Sequence, residues 1–121
     1  MKRALAVTMA ILLLAATGWA AEKAKVKEVT ITGKISCTFC NLAAQSNCTK
    51  ECCQACLKSG DPVLLSDAKG NLYILLNGEK EKPLMTADRM NLVTEKVKVQ
   101  GMLVKRGGVQ GIYVKNMEKA K

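Results

Sequence analysis

All six cysteines of the chain lie between Cys37 and Cys56, and the chain contains no histidine. Disulfides stabilise small exported domains mainly by joining segments that are distant along the chain. Six cysteines in one short window do not make such connections. The crowding instead favours a local thiol site. Such a site can be a thiolate metal site, a compact set of disulfides or a redox centre. The sequence therefore locates a site more sharply than it defines an activity.

The N-terminal segment predicts export. Lys2 and Arg3 form a short positive region, and an apolar run extends from Ala4 to Ala16. Gly18-Trp19-Ala20 then places small residues at the two positions that signal peptidase recognises. The apolar run is shorter than the roughly 20 residues of a membrane-spanning helix. We therefore expect residues 1–20 to be a cleaved signal peptide and the mature protein to be periplasmic or secreted, without a transmembrane segment.

The mature chain is expected to form one domain. We divide it into a flexible N-terminus (21–25), a folded domain (26–117) that contains a cysteine-rich insertion (36–60), and a C-terminal tail (118–121). The formal charge of the whole chain is +9. Lysines alternate with apolar residues, so we interpret this charge as solvation of exposed strand faces. Few aromatic residues are available to stack on bases, and we expect no nucleic-acid partner.

Five segments have the alternating or short apolar patterns of β-strands. They are 26–35, 63–65, 72–76, 97–104 and 109–114. Gly70 suits a tight turn between the second and third strands, and Gly107-Gly108 suits a hairpin between the fourth and fifth. Between the third and fourth strands, residues 86–93 can form two helical turns with Thr86 as N-cap.

Two of the predicted strands share a pattern of alternating apolar residues interrupted by a glycine. Gly33 interrupts the first strand and Gly101 the fourth, and glycine within a strand is typical of a bulge or a bend at a barrel corner. The OB-fold has this order of elements: three strands, a short helix and two more strands. Over residues 26–117 the chain resembles the small exported bacterial OB-fold proteins. The expected fold is a mainly β, five-stranded OB-fold-like barrel, with a helical insertion between strands one and two and a short helix between strands three and four.

The insertion at residues 36–60 carries every cysteine. Residues 49–58 have helical composition, and Gly60 and Pro62 indicate where that helix ends. At about 100° per residue, a helical stripe is expected at positions 48, 52 and 56, with Cys53 beside it. The preceding Cys37-Thr-Phe-Cys40 segment can fold back onto this stripe. A compact group of sulfur atoms is therefore expected.

The insertion also resembles a group of short secreted bacterial proteins in which a Cys-x-Leu element precedes a Cys-x3-Cys helix that ends in Gly-x-Pro-Val. The matching segments here are 40–42, 52–56 and 60–63. The resemblance implies that Cys40, Cys52 and Cys56 form a shared core. In that group a histidine commonly precedes the first helix cysteine, and Cys48 is its nearest substitute here. The resemblance implies no particular activity.

The spacing Cys37-x2-Cys40-x12-Cys53-x2-Cys56 is typical of a four-cysteine zinc site. Thiolate ligands favour zinc or copper(I) over magnesium, calcium or manganese. Attached haem is not expected, because no histidine follows either Cys-x2-Cys pair. The candidate metal ligands are all six cysteines: Cys37, Cys40, Cys48, Cys52, Cys53 and Cys56.

We therefore expect an exported binding protein with a thiolate metal site, acting in metal handling or sequestration. Two alternatives stay open at this point. Thiols outside the cytoplasm are commonly oxidised, which favours a disulfide-stabilised module that binds a ligand or partner. A thiol–disulfide redox protein is the other, although the βαβ context of thioredoxin-like motifs is missing. Without histidine or a recognisable carboxylate pair, we expect the protein not to be an enzyme.

Overall fold

Five strands and three short helices make up residues 25–43 and 48–121, which are the part of the chain that the computed structural model describes. The strands are β1 (Lys25–Cys37), β2 (Val63–Asp67), β3 (Leu72–Asn77), β4 (Lys96–Arg106) and β5 (Val109–Lys119). The helices are α1 (Thr38–Leu42), α2 (Lys50–Lys58) and α3 (Ala87–Met90). The predicted signal peptide lies outside the described residues. Within the described ranges, no helix combines the length and the apolar character needed to cross a bilayer.

The strands close into a barrel in the order β1-β2-β3-β5-β4, with β4 pairing back to β1. All neighbouring strands are antiparallel except β3 and β5, which are parallel. Helices α1 and α2 lie between β1 and β2 along the chain, and α3 lies between β3 and β4. The predicted fold, an OB-fold-like barrel with a cysteine-rich helical insertion and a second short helix, is confirmed.

Two glycines within strands allow the barrel to close. Gly33 lies where β1 changes partner, since it is paired with Val97 of β4 and also with Asp67 of β2. A side chain at Gly33 would overlap the carbonyl oxygen of Ser66. At Gly101 the β4–β5 register shifts, and a side chain there would overlap the backbone of Tyr113. The predicted bulge is confirmed at Gly101, and Gly33 lies where β1 passes from pairing with β4 to pairing with β2.

The predicted turns are present. Between β2 and β3, Gly70 has a φ of 85°, and both glycines of the β4–β5 hairpin also have positive φ. Helix α3 is shorter than predicted, but its predicted N-cap is confirmed, because the Thr86 hydroxyl accepts a hydrogen bond from the Arg89 N–H at 3.3 Å. Strand β5 runs to Lys119, beyond the predicted Val114.

The barrel encloses a continuous apolar core. Its fully buried aliphatic side chains come from every strand except β3 and from the segment after α3: Ile35, Leu65, Val93, Val97, Val99, Ile112 and Val114. Burying each aliphatic side chain of this size contributes about 1.5–3 kcal/mol. Cys37, Cys40 and Cys53 belong to the same buried cluster. The cysteine-rich insertion therefore packs directly onto the barrel core.

Candidate metal centre

Four cysteine sulfur atoms lie close together where the insertion meets the barrel. The Sγ atoms of Cys37, Cys40, Cys48 and Cys53 all lie within 4.8 Å of one another. Cys37, Cys40 and Cys53 are buried, and Cys48 is half-buried. Four sulfurs bound to one zinc ion at about 2.3 Å lie about 3.8 Å apart at the corners of a tetrahedron. This group of four cysteines, the four-sulfur set, could therefore hold a metal ion.

The first two sulfurs are positioned by the end of β1 and by α1. Cys37 is the last residue of β1, and Cys40 lies in the first turn of α1. Thr38 anchors the start of this helix, because its N–H and its hydroxyl both donate to the Pro62 carbonyl oxygen, at 3.1 Å and 2.6 Å. The side-chain amide of Asn41 donates to the Ser36 hydroxyl at 2.8 Å. These bonds fix α1 against the strands on either side of the insertion.

Helix α2 positions Cys53. The Thr49 hydroxyl caps the helix by accepting a hydrogen bond from the Cys52 N–H at 3.1 Å. At the other end Gly60 has a φ of 105°, and the Asp61 N–H donates to the Cys56 carbonyl at 3.2 Å, which is the Schellman arrangement. The Gln54 side chain donates to the Met90 carbonyl at 2.9 Å and joins α2 to α3. Cys53 is therefore held on a helix that is fixed at both ends.

The remaining predicted ligands, Cys52 and Cys56, lie outside the four-sulfur set. Cys52 is exposed and Cys56 is half-buried. The Cys-x2-Cys spacing predicted a site of Cys37, Cys40, Cys53 and Cys56, whereas the structure brings Cys48 to the set instead of Cys56.

The predicted helical stripe of three cysteines does not form. Cys48 precedes the N-cap Thr49 and is not part of the helix. Neighbouring helix positions point about 100° apart, so the burial of Cys53 leaves its neighbour Cys52 on the solvent side.

Cys48 and Cys53 make a close sulfur contact, with their Sγ atoms 2.6 Å apart. A disulfide requires about 2.05 Å. All six cysteines carry free thiols, and no pair of them is at bonding distance. The Cys48–Cys53 contact is also shorter than a tetrahedral edge, so these two sulfurs would have to move apart by about 1 Å on binding a zinc ion.

The thiols of Cys37, Cys40 and Cys48 differ in the direction of their pKa shifts. Burial raises the pKa of Cys37, but the backbone N–H and thiol of Cys40 and the thiols of Cys53 and Cys56 outweigh it, so the pKa is lowered. Cys37 is the N-cap residue of α1, but its side chain accepts no capping hydrogen bond. The Cys40 N–H therefore influences the Cys37 thiol by its proximity. Hydrogen bonding to Cys40 and Cys53, together with burial, raises the pKa of Cys48. For Cys40, the thiol of Cys48 lowers the pKa, but the proximity of Cys37 and burial reverse this and raise it overall. Of Cys37, Cys40 and Cys48, only Cys37 has a lowered pKa, so it is the most easily deprotonated of these three.

Cys56 adjoins the set through Cys37. Burial raises the pKa of Cys56 to about 11, with further contributions from the Cys37 thiol and from the charges of Cys52 and Asp61. Cys56 also packs against the buried core. Cys56 thus lies beside the four-sulfur set without belonging to it.

Comparisons with known proteins do not assign the site. No protein-family model, curated protein or solved structure matches the chain. The chemistry of the site therefore has to be inferred from its own residues, which are four clustered thiols at the junction of an OB-fold-like barrel and its insertion.

Proposed function

We propose that this is an exported binding protein that holds a soft metal ion, zinc or copper(I), in its cysteine-rich insertion and acts in metal handling or sequestration. The observation that carries the proposal is the convergence of four Sγ atoms within 4.8 Å of one another. The N-terminal segment, with its positive start and short apolar run, supports export.

The donor set supports a soft ion. All four donors are sulfur atoms, and thiolates favour zinc and copper(I) over ions that prefer oxygen. Four protein ligands complete the tetrahedral coordination of zinc and leave no position for water or a substrate, as in structural rather than catalytic sites. This supports a binding role and not an enzymatic one. Burial of three of the four sulfurs supports retention of the ion.

A disulfide-stabilised interaction module is the second candidate. The observation that favours it is the 2.6 Å separation of the Cys48 and Cys53 sulfurs, because a small movement would bring them to bonding distance. In an oxidising compartment, thiols without a metal tend to form disulfides. The two candidates therefore compete for the same sulfur atoms.

Native mass spectrometry of the exported protein, purified from the periplasm of an expression host without chelator, tests the proposal. We expect the native mass to exceed the acid-denatured mass by one metal ion, with the cysteines reduced. A second measurement uses cobalt(II), whose visible absorption reports tetrahedral thiolate coordination. A metal-free protein that has lost the hydrogens of its thiols to disulfides would instead support the second candidate.

Two neighbouring cysteines provide a matched pair of variants. Cys53→Ser removes a buried member of the four-sulfur set and should abolish the zinc adduct and the cobalt spectrum. Cys52→Ser removes an exposed thiol from the same helix and should still bind one zinc ion. Thermal melts of both metal-free variants show whether each is folded. Equal zinc binding by a folded Cys53→Ser protein would contradict the assigned ligands.

A further inference from the structure

Two cysteines remain without a role in the four-sulfur set. Cys52 and Cys56 are four residues apart on α2, a spacing that places their Cβ atoms about 5–6 Å apart on one helix face. Cys52 is exposed, and Cys56 is half-buried and packs against the core. The pair therefore runs from the surface of the helix towards the buried sulfurs.

Cys37 connects this pair to the four-sulfur set. Its sulfur lies within 4.8 Å of the sulfurs of Cys40 and Cys53, which are members of the set, and its thiol also interacts with that of Cys56, which is not. Cys37 therefore lies between the four-sulfur set and Cys56. A thiolate sulfur has several lone pairs, so one sulfur can bind two metal ions at once.

The number of cysteines outside the four-sulfur set determines which metal ion a second site can bind. A closed zinc site needs four ligands, and Cys52, Cys56 and a shared Cys37 do not supply that number. Copper(I) is bound by soft thiolates and is stable with fewer ligands than zinc. The leftover sulfurs therefore suit copper(I) and not a second zinc ion.

We propose that Cys52 and Cys56, together with a bridging Cys37, form a second copper(I) site beside the four-sulfur set. This inference rests on the proposed metal-binding function and deepens it. The protein then binds two copper(I) ions but only one zinc ion. Because Cys52 is exposed, the second copper ion is the more accessible one and exchanges first with a competing ligand.

The test is a metal count by native mass spectrometry. The reduced protein is titrated anaerobically with zinc(II) or with copper(I) supplied as its acetonitrile complex. We expect one zinc or two copper ions for the wild type, and one of either ion for the Cys52→Ser/Cys56→Ser double variant. Glu51→Gln, a change at an exposed position of the same helix, serves as the control and should keep two copper ions.

A competition experiment adds the order of release. Bicinchoninate, a copper(I) chelator, should remove one copper ion from the wild type faster than the other, and the double variant should lack the fast phase. One copper ion per wild-type chain, or two in the double variant, would overturn the second site while leaving the proposed function standing. Binding of neither zinc nor copper would instead refute the proposed function itself.

Discussion

At the scale of single residues, Cys48 and Cys53 have two competing fates. Their sulfurs are 2.6 Å apart, which is closer to the roughly 2.05 Å of a disulfide than to the roughly 3.8 Å edge of a tetrahedral zinc site. Cys48 precedes the capped start of α2, whereas Cys53 is fixed within the helix. A movement of Cys48 alone would therefore be enough to reach either the disulfide or the zinc-bound arrangement.

We predict that mild oxidation of the metal-free protein with oxidised glutathione forms a Cys48–Cys53 disulfide first, and that bound zinc prevents it. Lys50 lies between the two residues, so trypsin places them in different peptides that only a disulfide can join. Tandem mass spectrometry of the joined peptides identifies the bond. Cys48→Ser should eliminate it, and a first bond between Cys37 and Cys56 would contradict the prediction.

The sequence predicted only part of the four-sulfur set. Clustering and spacing were enough to locate the site and to name Cys37, Cys40 and Cys53. They could not decide between Cys48 and Cys56, because that depends on where α2 begins and on which helix face meets the barrel. The helical composition began at Thr49, and the predicted stripe included Cys48 only by extending the helical spacing one residue before that start. The observed N-cap is Thr49.

At the scale of elements, the strands were predictable because the long ones alternate apolar and polar residues and the short ones are apolar runs next to turn residues. Gly33 and Gly101 also interrupt the alternation where the strand pairing changes. Helix α1 was not predicted as a helix. It has only five residues, and its anchor is a contact between Thr38 and Pro62, which lie 24 positions apart. Such long-range contacts leave no local signal in the sequence.

The β2–β3 turn is held by one carboxylate. Asp67 accepts hydrogen bonds from the backbone N–H groups of Lys69 and Asn71, from the Asn71 side chain and from the Tyr73 hydroxyl. The Asn71 side-chain bond is the largest cause that lowers the pKa of Asp67 below its usual 3.8. Because the folded-state pKa is the lower one, the carboxylate stabilises the fold above the unfolded pKa, and this contribution disappears as the pH falls through the folded pKa.

We predict that Asp67→Asn lowers stability at neutral pH and reduces the loss of stability of the wild type between about pH 5 and pH 2. Urea unfolding followed by circular dichroism across this range measures both effects. Glu81→Gln, at an exposed carboxylate between β3 and α3, should stay within about 0.5 kcal/mol of the wild type at neutral pH. Parallel pH curves for Asp67→Asn and the wild type would show that the turn does not depend on the charge.

At the scale of the whole molecule, the barrel and the thiol site are adjacent, but different interactions stabilise them. The barrel has its own apolar core, in which Val97, Val99 and Ile112 are fully buried. The insertion contributes few large apolar side chains, and in α2 the buried residues are only Cys53 and Leu57. The barrel is therefore expected to fold without metal, whereas the insertion gains most from a bound ion.

We predict that zinc raises the melting temperature and that removing it with a chelator leaves the β-sheet signal intact. Metal at about 100 times its dissociation constant adds about 2.7 kcal/mol, which for a domain of this size corresponds to roughly 10–20 °C. Differential scanning calorimetry measures the shift, and far-ultraviolet circular dichroism follows the barrel. Cys53→Ser should show no shift. Loss of the sheet signal on chelation would mean instead that the thiol site, and not the apolar core, holds the barrel closed.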